Sequence, residues 1–406
     1  MNMVRICQKL QTGNGPNNRM KKNSVILCLN SGSSSLKFAL YSTQKTLQLL
    51  VHGEIENIDQ KKPFFWIQHN KKKHTVATSS LNTARALSQV LDTLKKFEYP
   101  MPLAIAHRVV HGGSFFSKPT RINSSVLQKL KTLIHFAPLH LPSSLKMIEA
   151  IQKWNPKIPQ IACFDTAIYH AMPKIAKQFP LPEKEMQKGI QRYGFHGLSY
   201  ESILEQLQKE KAKKIIIAHL GNGSSMTAFY QGKPVDTTMG LTPTSGIMMG
   251  TRSGDLDPGL LIFLMREKKY SVKTLENLLN YESGLKGVSG ISEDMQQLLR
   301  SKNPSAKNAT ELFCYQAQKA IGSLSTVLGG LDLLIFTGGI GENSSQIRKQ
   351  ICQPLKFLQI ELDTHKNRSH QQVISQPSSG CIVKVLKTDE DAVLAKHAWQ
   401  ILKETL

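Results

Sequence analysis

An internal repeat constrains this chain more than any other feature of its sequence. Val25 to Leu36 reads VILCLNSGSSSL and runs on into the alternating Lys37-Phe38-Ala39-Leu40-Tyr41; Ile215 to Met226 reads IIIAHLGNGSSM and runs on into Thr227-Ala228-Phe229-Tyr230. Each copy is an apolar run of buried-strand length, a tight Gly/Ser turn and a second strand. A hairpin tip made of glycine and serine offers backbone N–H groups and hydroxyls at close approach, which suits a phosphate. One such hairpin in each half predicts a duplicated α/β domain with a nucleotide clamped between the copies. Helical segments at 81–97, 125–134, 143–154, 199–211, 309–328 and 391–403 alternate with apolar strands, as that architecture requires.

The composition supports more than one core: of 406 residues, 40% are hydrophobic and 20% charged, a globular balance that excludes wholesale disorder. No apolar run approaches the roughly 18 residues needed to span a bilayer. Lysine and arginine (52) outnumber aspartate and glutamate (29), for a formal charge of +23. The basic residues are dispersed in short groups such as Lys71-Lys72-Lys73 and Lys213-Lys214. No long basic arm stands out, so nucleic acid is not the expected partner, and the positive field suits small anionic substrates. The segment 62–74 interleaves bases with aromatics and reads as a strand with a solvated turn after it. Six cysteines without CxxC spacing read as small buried residues in a reducing compartment. Residues 1–22 hold five bases, no acid and a Gly-Asn-Gly-Pro stretch. They are expected to form a disordered extension, with Met20 an alternative start and no secretory signal.

The residues able to do chemistry follow strands. Arg108, in His107-Arg108-Val109-Val110-His111-Gly112-Gly113, comes after the apolar strand 103–106; it is placed to fork onto an anion or to make a structural salt bridge. Asp165 ends the apolar strand of 161–164, as a base, a metal anchor or a helix N-cap. His196 lies between Gly194 and Gly197, where a ligand can come close. The loop Met249 to Gly259 is dense in charge and glycine around Arg252. A third glycine-rich turn, Thr337-Gly338-Gly339-Ile340-Gly341-Glu342-Asn343-Ser344, follows the strand 333–336. It lacks the dinucleotide-binding spacing, and the chain has no GxxxxGK[ST].

Taken in order, Asn30-Ser31-Gly32-Ser33-Ser34-Ser35-Leu36-Lys37, the His107–Gly113 segment, Phe164-Asp165-Thr166-Ala167, Tyr193-Gly194-Phe195-His196-Gly197, His219-Leu220-Gly221-Asn222-Gly223-Ser224, Gly250-Thr251-Arg252-Ser253-Gly254-Asp255 and Phe336 to Ser344 resemble the acetate kinase (acetokinase) family. The resemblance is collinear from about residue 24 to the end. It implies two duplicated ribonuclease-H-like domains of the actin-like ATPase kind with an interdomain cleft. One would be residues 23–167, completed by the C-terminal helix near 390–406, and the other, nucleotide-binding, residues 168–389. It implies reversible phosphoryl transfer from ATP to acetate, giving ADP and acetyl phosphate, with Mg²⁺ (or Mn²⁺), in a cytoplasmic homodimer.

Carried over motif by motif, the resemblance assigns Asn30 and Glu390 to the metal. Lys37, His219, Leu220, Gly221, Asn222 and Gly223 go to the ATP phosphates. Asp294, Met295 and Gln296, with Gly339, Ile340, Gly341, Glu342 and Asn343, line the nucleoside end. Arg108 takes the acid's carboxylate, and Val110, Leu139, Phe195 and Pro243 take its methyl group. Asp165 positions the acid or its arginine, while His196 and Arg252 stabilise the transferring phosphoryl. The chain departs from the family pattern at Gln296, in place of an arginine, at Leu141, at Thr244-Ser245, and at Leu198 and Tyr200. Base preference and acid chain length are therefore the least constrained features.

Overall fold

The computed structural model describes residues 24–32, 34–44, 46–60, 62–78, 82–187 and 189–405; the expected extension at 1–22 and the alternative start at Met20 lie outside them. Two sheets organise the chain. The first is built from β1 (Val25–Ser31), β2 (Leu36–Ser42), β3 (Gln48–Glu56), β4 (Phe64–His69), β5 (Lys72–Val76), β6 (Ala104–Val109), β7 (Thr120–Arg121) and β8 (Gln160–Phe164). Its strand order is β5-β4-β3-β2-β1-β6-β8-β7. The second, from β9 (Lys214–Leu220), β10 (Ser224–Tyr230), β11 (Lys233–Thr237), β12 (Leu333–Thr337) and β13 (Ile382–Val385), has the order β11-β10-β9-β12-β13.

The repeat read from the sequence is the repeat of these sheets. β1 pairs antiparallel with β2 and parallel with β6, which is parallel to β8; β9 pairs antiparallel with β10 and parallel with β12, which is parallel to β13. The order β3-β2-β1-β6-β8 in one half therefore matches β11-β10-β9-β12-β13 in the other. Central parallel strands are covered on both faces and read as unbroken apolar runs, and Ile161 to Phe164 and Leu333 to Phe336 are buried throughout.

Several expectations shift in detail. The strand placed at 103–106 runs to Val109, so Arg108 lies within β6 instead of after it. Helix 199–211 starts earlier and stops earlier, at Gly197–Gln206, because His196 in the left-handed region (φ 59°) sets its start. The third glycine-rich turn is a short helix, Gly338–Asn343, springing straight from β12. Gly338 makes that possible: its φ is +77°, and a Cβ there would lie 2.7 Å from the Leu220 carbonyl oxygen.

Two helices join the halves. Helix Glu390–Thr405 returns to the first sheet, where Val393, Leu394, Ala395 and Ala398 pack with Ile26, Cys28, Ala106 and Ile161. Helix Gly197–Gln206 sits between the sheets, with Leu198 in that same cluster and Tyr200 and Ile203 packed with Ile215, Ile217 and Phe229 of the second sheet. Leu394 is fully buried at the centre of the first contact. Leu394→Ala is expected to destabilise the fold by about 2–5 kcal/mol, the usual cost of a core leucine truncation; urea unfolding followed by circular dichroism measures it.

Candidate active site

The parallel strands of both sheets end at a cleft, where α/β folds place their ligands. A cavity of about 520 Å³ there is walled by residues from both halves, and its lining includes Asn30, Lys37, Arg108, Val110, Asp165, Phe195, His196, His219, Pro243, Arg252 and Glu390. It also takes in the Gly221-Asn222-Gly223 tip, Gly339 and Glu342. An adjoining cavity of about 670 Å³ shares Gly221, Asn222 and Gly339 with it and is lined further by Asp294, Met295, Gln296, Ile340 and Asn343.

Three sequence-assigned residues stand apart. Leu139 lines a different cavity, of about 500 Å³, which meets the first only at His140, Pro243 and Arg252. Leu220 is fully buried in the second domain's core. Gly341 is buried inside the short helix. Asp294 caps helix Met295–Arg300, its carboxylate accepting from the Gln296 N–H at 2.8 Å.

Arg108 is held from two sides. Its Nε donates to Asp165 at 3.1 and 3.2 Å and its Nη2 at 2.8 Å, a forked pair, while Nη1 lies 3.4 Å from Glu390. The alternative of Asp165 as a helix N-cap is not what forms. Burial disfavours the charged guanidinium, but Asp165 and Glu390 outweigh it and keep Arg108 protonated. Burial lifts the Asp165 carboxyl to about 6 against the pull of Arg108. Glu390 goes the other way: burial would raise it, but Arg108, the Ser199 hydroxyl and His219 hold it below its ordinary value.

Arg252 differs. Its Nη1 donates to the Pro243 carbonyl at 2.7 Å, and no carboxylate pairs with it among the described residues. Burial and the neighbouring Arg108 push it down to about 10, so it is still a cation, one that lacks an anion. A Cβ on Gly223 would sit 2.8 Å from Arg252 Nη2 and 3.2 Å from His196 Nε2. Both donors thus converge on the small space the glycine leaves open. Gly250 is fixed by the same crowding, since its Cβ would overlap the Asn222 amide oxygen at 1.8 Å.

The histidines of the cleft are neutral. Burial, reinforced by His219, Arg108 and Arg252, takes His196 well below its ordinary pKa, and burial takes His140 and His219 to about 4. His196 and His219 stack at 4.5 Å. Among residues the sequence reading did not assign, His140, Ser31, Lys387 and Thr388 also line the cavity. Arg348, fully buried, donates to the Gly341 and Glu342 carbonyls at 2.8 and 2.9 Å and to Asn367. It clips the end of helix Gly338–Asn343, and nothing in its local sequence announces this.

Hard oxygen donors meet in the cavity: the Glu390 carboxylate, the Asn30 amide and the Ser31 hydroxyl, which is buried and unpartnered. Such a set fits Mg²⁺, which keeps several waters and needs only one or two protein carboxylates beside substrate phosphates.

The duplicated actin-like ATPase fold sets an unpaired guanidinium and a neutral imidazole beside a glycine hairpin in one cleft, an arrangement suited to a phosphotransferase. Comparison with known proteins narrows the class. The model of the Acetokinase family matches residues 25–396, and the chain belongs to that family. It is 41% identical to an acetate kinase of Rhodopseudomonas palustris over 391 residues, covering 93% of this chain and 98% of the relative. Among solved structures, a propionate kinase from Francisella tularensis superposes with a TM-score of 0.88 at 38% identity, covering 92% of this chain and 98% of that one. Porphyromonas gingivalis acetate kinase superposes at 0.84 and 36%, covering 93% and 100%.

The neutral histidines make a prediction about stability. His107, His111, His140 and His219 titrate near 4 in the folded chain, against about 6.5 when unfolded. Because the unfolded state binds more protons just below 6.5, the stability these groups confer is present above that pH and is lost as pH falls. Between pH 7 and 6 the unfolding free energy should therefore drop, by about 1.4 kcal/mol per pH unit for each extra proton bound. Below pH 6 the decline should continue without steepening much further, because Asp165 and Asp391, raised to about 6, take up protons in the folded state and offset only part of what the four histidines bind on unfolding. Urea titrations at half-unit pH steps check both parts.

Proposed function

We propose that the chain catalyses reversible phosphoryl transfer from ATP to acetate, giving acetyl phosphate and ADP by direct in-line transfer. The observation that carries this reading is the unpaired Arg252 guanidinium converging with His196 Nε2 on one point of the cleft, beside the Arg108–Asp165 pair. One acetate oxygen forms the new bond to the γ-phosphorus while the bond from that phosphorus to the ADP oxygen breaks, its electron pair leaving with ADP. Acetate is already deprotonated at neutral pH, so no general base is required, and positioning with cationic stabilisation suffices.

Arg108, steadied by Asp165, binds the acid's carboxylate, and Val110, Phe195 and Pro243 enclose its methyl group. Lys37 and the tip 221–223 hold phosphates, and the cavity at Gln296 and Ile340 takes the nucleoside. His196 and Arg252 donate to the equatorial oxygens of the transferring group. Glu390 and Asn30 would hold Mg²⁺, or Mn²⁺, which when bound neutralises charge on the β- and γ-phosphates. The domains run 23–167 with 390–406, and 168–389. A propionate preference is the second reading, favoured by the likeness to the Francisella propionate kinase; one methylene shifts such discrimination by only about 1–3 kcal/mol.

Trapping the acyl phosphate as a hydroxamate with acetate, propionate or butyrate, each with ATP or GTP, tests the reading; no hydroxamate with any acid would overturn it. Arg252→Ala is expected to keep its fold and ATP binding and to lose about 10³-fold or more in kcat, by analogy with arginine fingers. A near-normal kcat would remove Arg252 from the mechanism.

The working form is a cytoplasmic homodimer. Helix Pro258–Arg266 buries none of its residues, though it carries Leu260, Ile262, Phe263 and Met265, with Val272 nearby in sequence 73% exposed. Such a face calls for a cover, and a second copy supplies one. No helix among the described residues is long and apolar enough to cross a membrane. Phe263→Glu should convert the dimer to monomer in sedimentation; a wild-type chain that sediments as a monomer contradicts the assignment.

A further inference from the structure

His196 can help a transferring phosphoryl only if the nitrogen facing the cleft carries a hydrogen. A neutral imidazole has one N–H, and the partner of its other nitrogen decides which one. Nε2 faces the space beside Gly223 and Arg252, and Nδ1 lies 2.8 Å from the Ser225 hydroxyl. That hydroxyl is also 2.6 Å from the phenol of Tyr200. Tyr200 and Ser225 are both fully buried.

The Tyr200 phenol has two side-chain hydroxyl neighbours, Ser225 at 2.6 Å and Thr227, so either direction of the chain satisfies it and the direction is set at the His196 end. Nδ1 has the Ser225 hydroxyl as its partner, and a hydroxyl can donate or accept. Were Nδ1 to donate, Nε2 would turn a lone pair toward an anionic phosphoryl group. With Nδ1 accepting from Ser225, and Ser225 accepting from Tyr200, Nε2 carries the hydrogen.

We propose that Tyr200 and Ser225 are positioning residues that lock His196 as the Nε2–H tautomer through a directed chain, Tyr200 O–H to Ser225 O–H to His196 Nδ1. The inference rests on the phosphoryl-transfer reading for its purpose and for the direction of the chain, though not for its geometry. Each member is placed by the fold. His196, left-handed at the head of helix Gly197–Gln206, and Tyr200, four residues on, lie on one helix face, and the Tyr200 N–H donates to the His196 carbonyl at 3.1 Å. Ser225 stands on β10 opposite His219 of β9, whose ring stacks on His196. The imidazole is thus fixed in rotation by the stack and in tautomer by the relay. An orienting group of this kind acts through the residue it holds and touches no substrate.

Long-range ¹H–¹⁵N correlation spectra of histidine-labelled protein, with the His196 signals assigned by substitution, read the tautomer directly. Wild type is expected to show the pattern of protonated Nε2, and Tyr200→Phe a mixture of tautomers. Its kcat should be about three- to tenfold lower, as for a weakened transition-state donor, with KM for nucleotide and acid within about twofold of wild type. Ser225→Thr should retain the wild-type tautomer, and Ser225→Ala should lose it. Protonated Nδ1 in wild type, or Tyr200→Phe with an unchanged tautomer and kcat, overturns the proposal. Should Tyr200→Phe fail to fold, the wild-type spectrum and the Ser225 pair decide. If the wild type forms no acyl phosphate, the functional reading fails, while the spectra still decide the relay.

Discussion

The cleft is built outward from Arg108. This residue sits on β6, between β1 and β8, and its side chain joins elements far apart in the chain, Asp165 at the end of β8 and Glu390 at the start of the last helix. The pairing follows from topology. Parallel neighbours β6 and β8 bring Arg108 level with Cys163, so that Asp165, two residues on, emerges beside the guanidinium. Burying three charges has a desolvation cost that their attraction roughly offsets, and removing one member typically costs about 3–5 kcal/mol. What the trio contributes is a fixed direction for the guanidinium and a tether for the helix that returns from the chain's end to the first sheet.

The second half, Arg252 apart, answers with backbone. Its hairpin tip at Gly221-Asn222-Gly223 and the helix after β12 approach so closely that side chains would collide: at Gly223 with Arg252 and His196, at Gly250 with Asn222, at Gly338 with the Leu220 carbonyl. A surface made that way leaves backbone uncovered by side chains, so that a ligand can approach it closely. Arg348 holds the piece together from beneath. Its donors go to carbonyl and amide oxygens and not to an acid, and it ties the end of helix Gly338–Asn343 to helix Thr364–Arg368.

The sequence made legible whatever depends on local pattern. Apolar runs before glycine turns marked β1, β9 and β12, and their likeness revealed two sheets of one topology. Family motifs marked Arg108, Asp165, His196 and Arg252, which line one cavity. What escaped depends on contacts between distant segments. Ser225 is one serine in a strand until β10 lies under His196, and Tyr200 looks like a departure from pattern until its phenol meets that serine. The family resemblance places Leu139 in the acyl pocket, yet the bend between Phe136 and Leu141 directs it toward another cavity. The apolar run that marks the strand carrying Arg108 ends at Ala106, because His107 and Arg108 break it. In the sheet their side chains go opposite ways, His107 to Gln160 and Arg108 to Asp165, as strand alternation dictates.

Charge in the cleft is distributed in a way that suits a reaction rather than a complex. Binding substrate and transition state equally well lowers KM without raising kcat, so indiscriminate positive charge around a triphosphate would gain little. Arg108 is balanced by two carboxylates, so on the proposed mechanism it would act on the acid mainly through direction. Three histidines in the cleft are kept neutral by burial and by the arginines themselves, so they offer hydrogen bonds without adding to the field. Arg252 alone is left as an unpaired guanidinium, at the point where, on the proposed mechanism, the migrating group spreads its charge over equatorial oxygens. On that mechanism, discrimination between ground and transition states draws on this cation and on one imidazole hydrogen held in register with it, and so on the direction of the buried hydroxyl chain behind that imidazole.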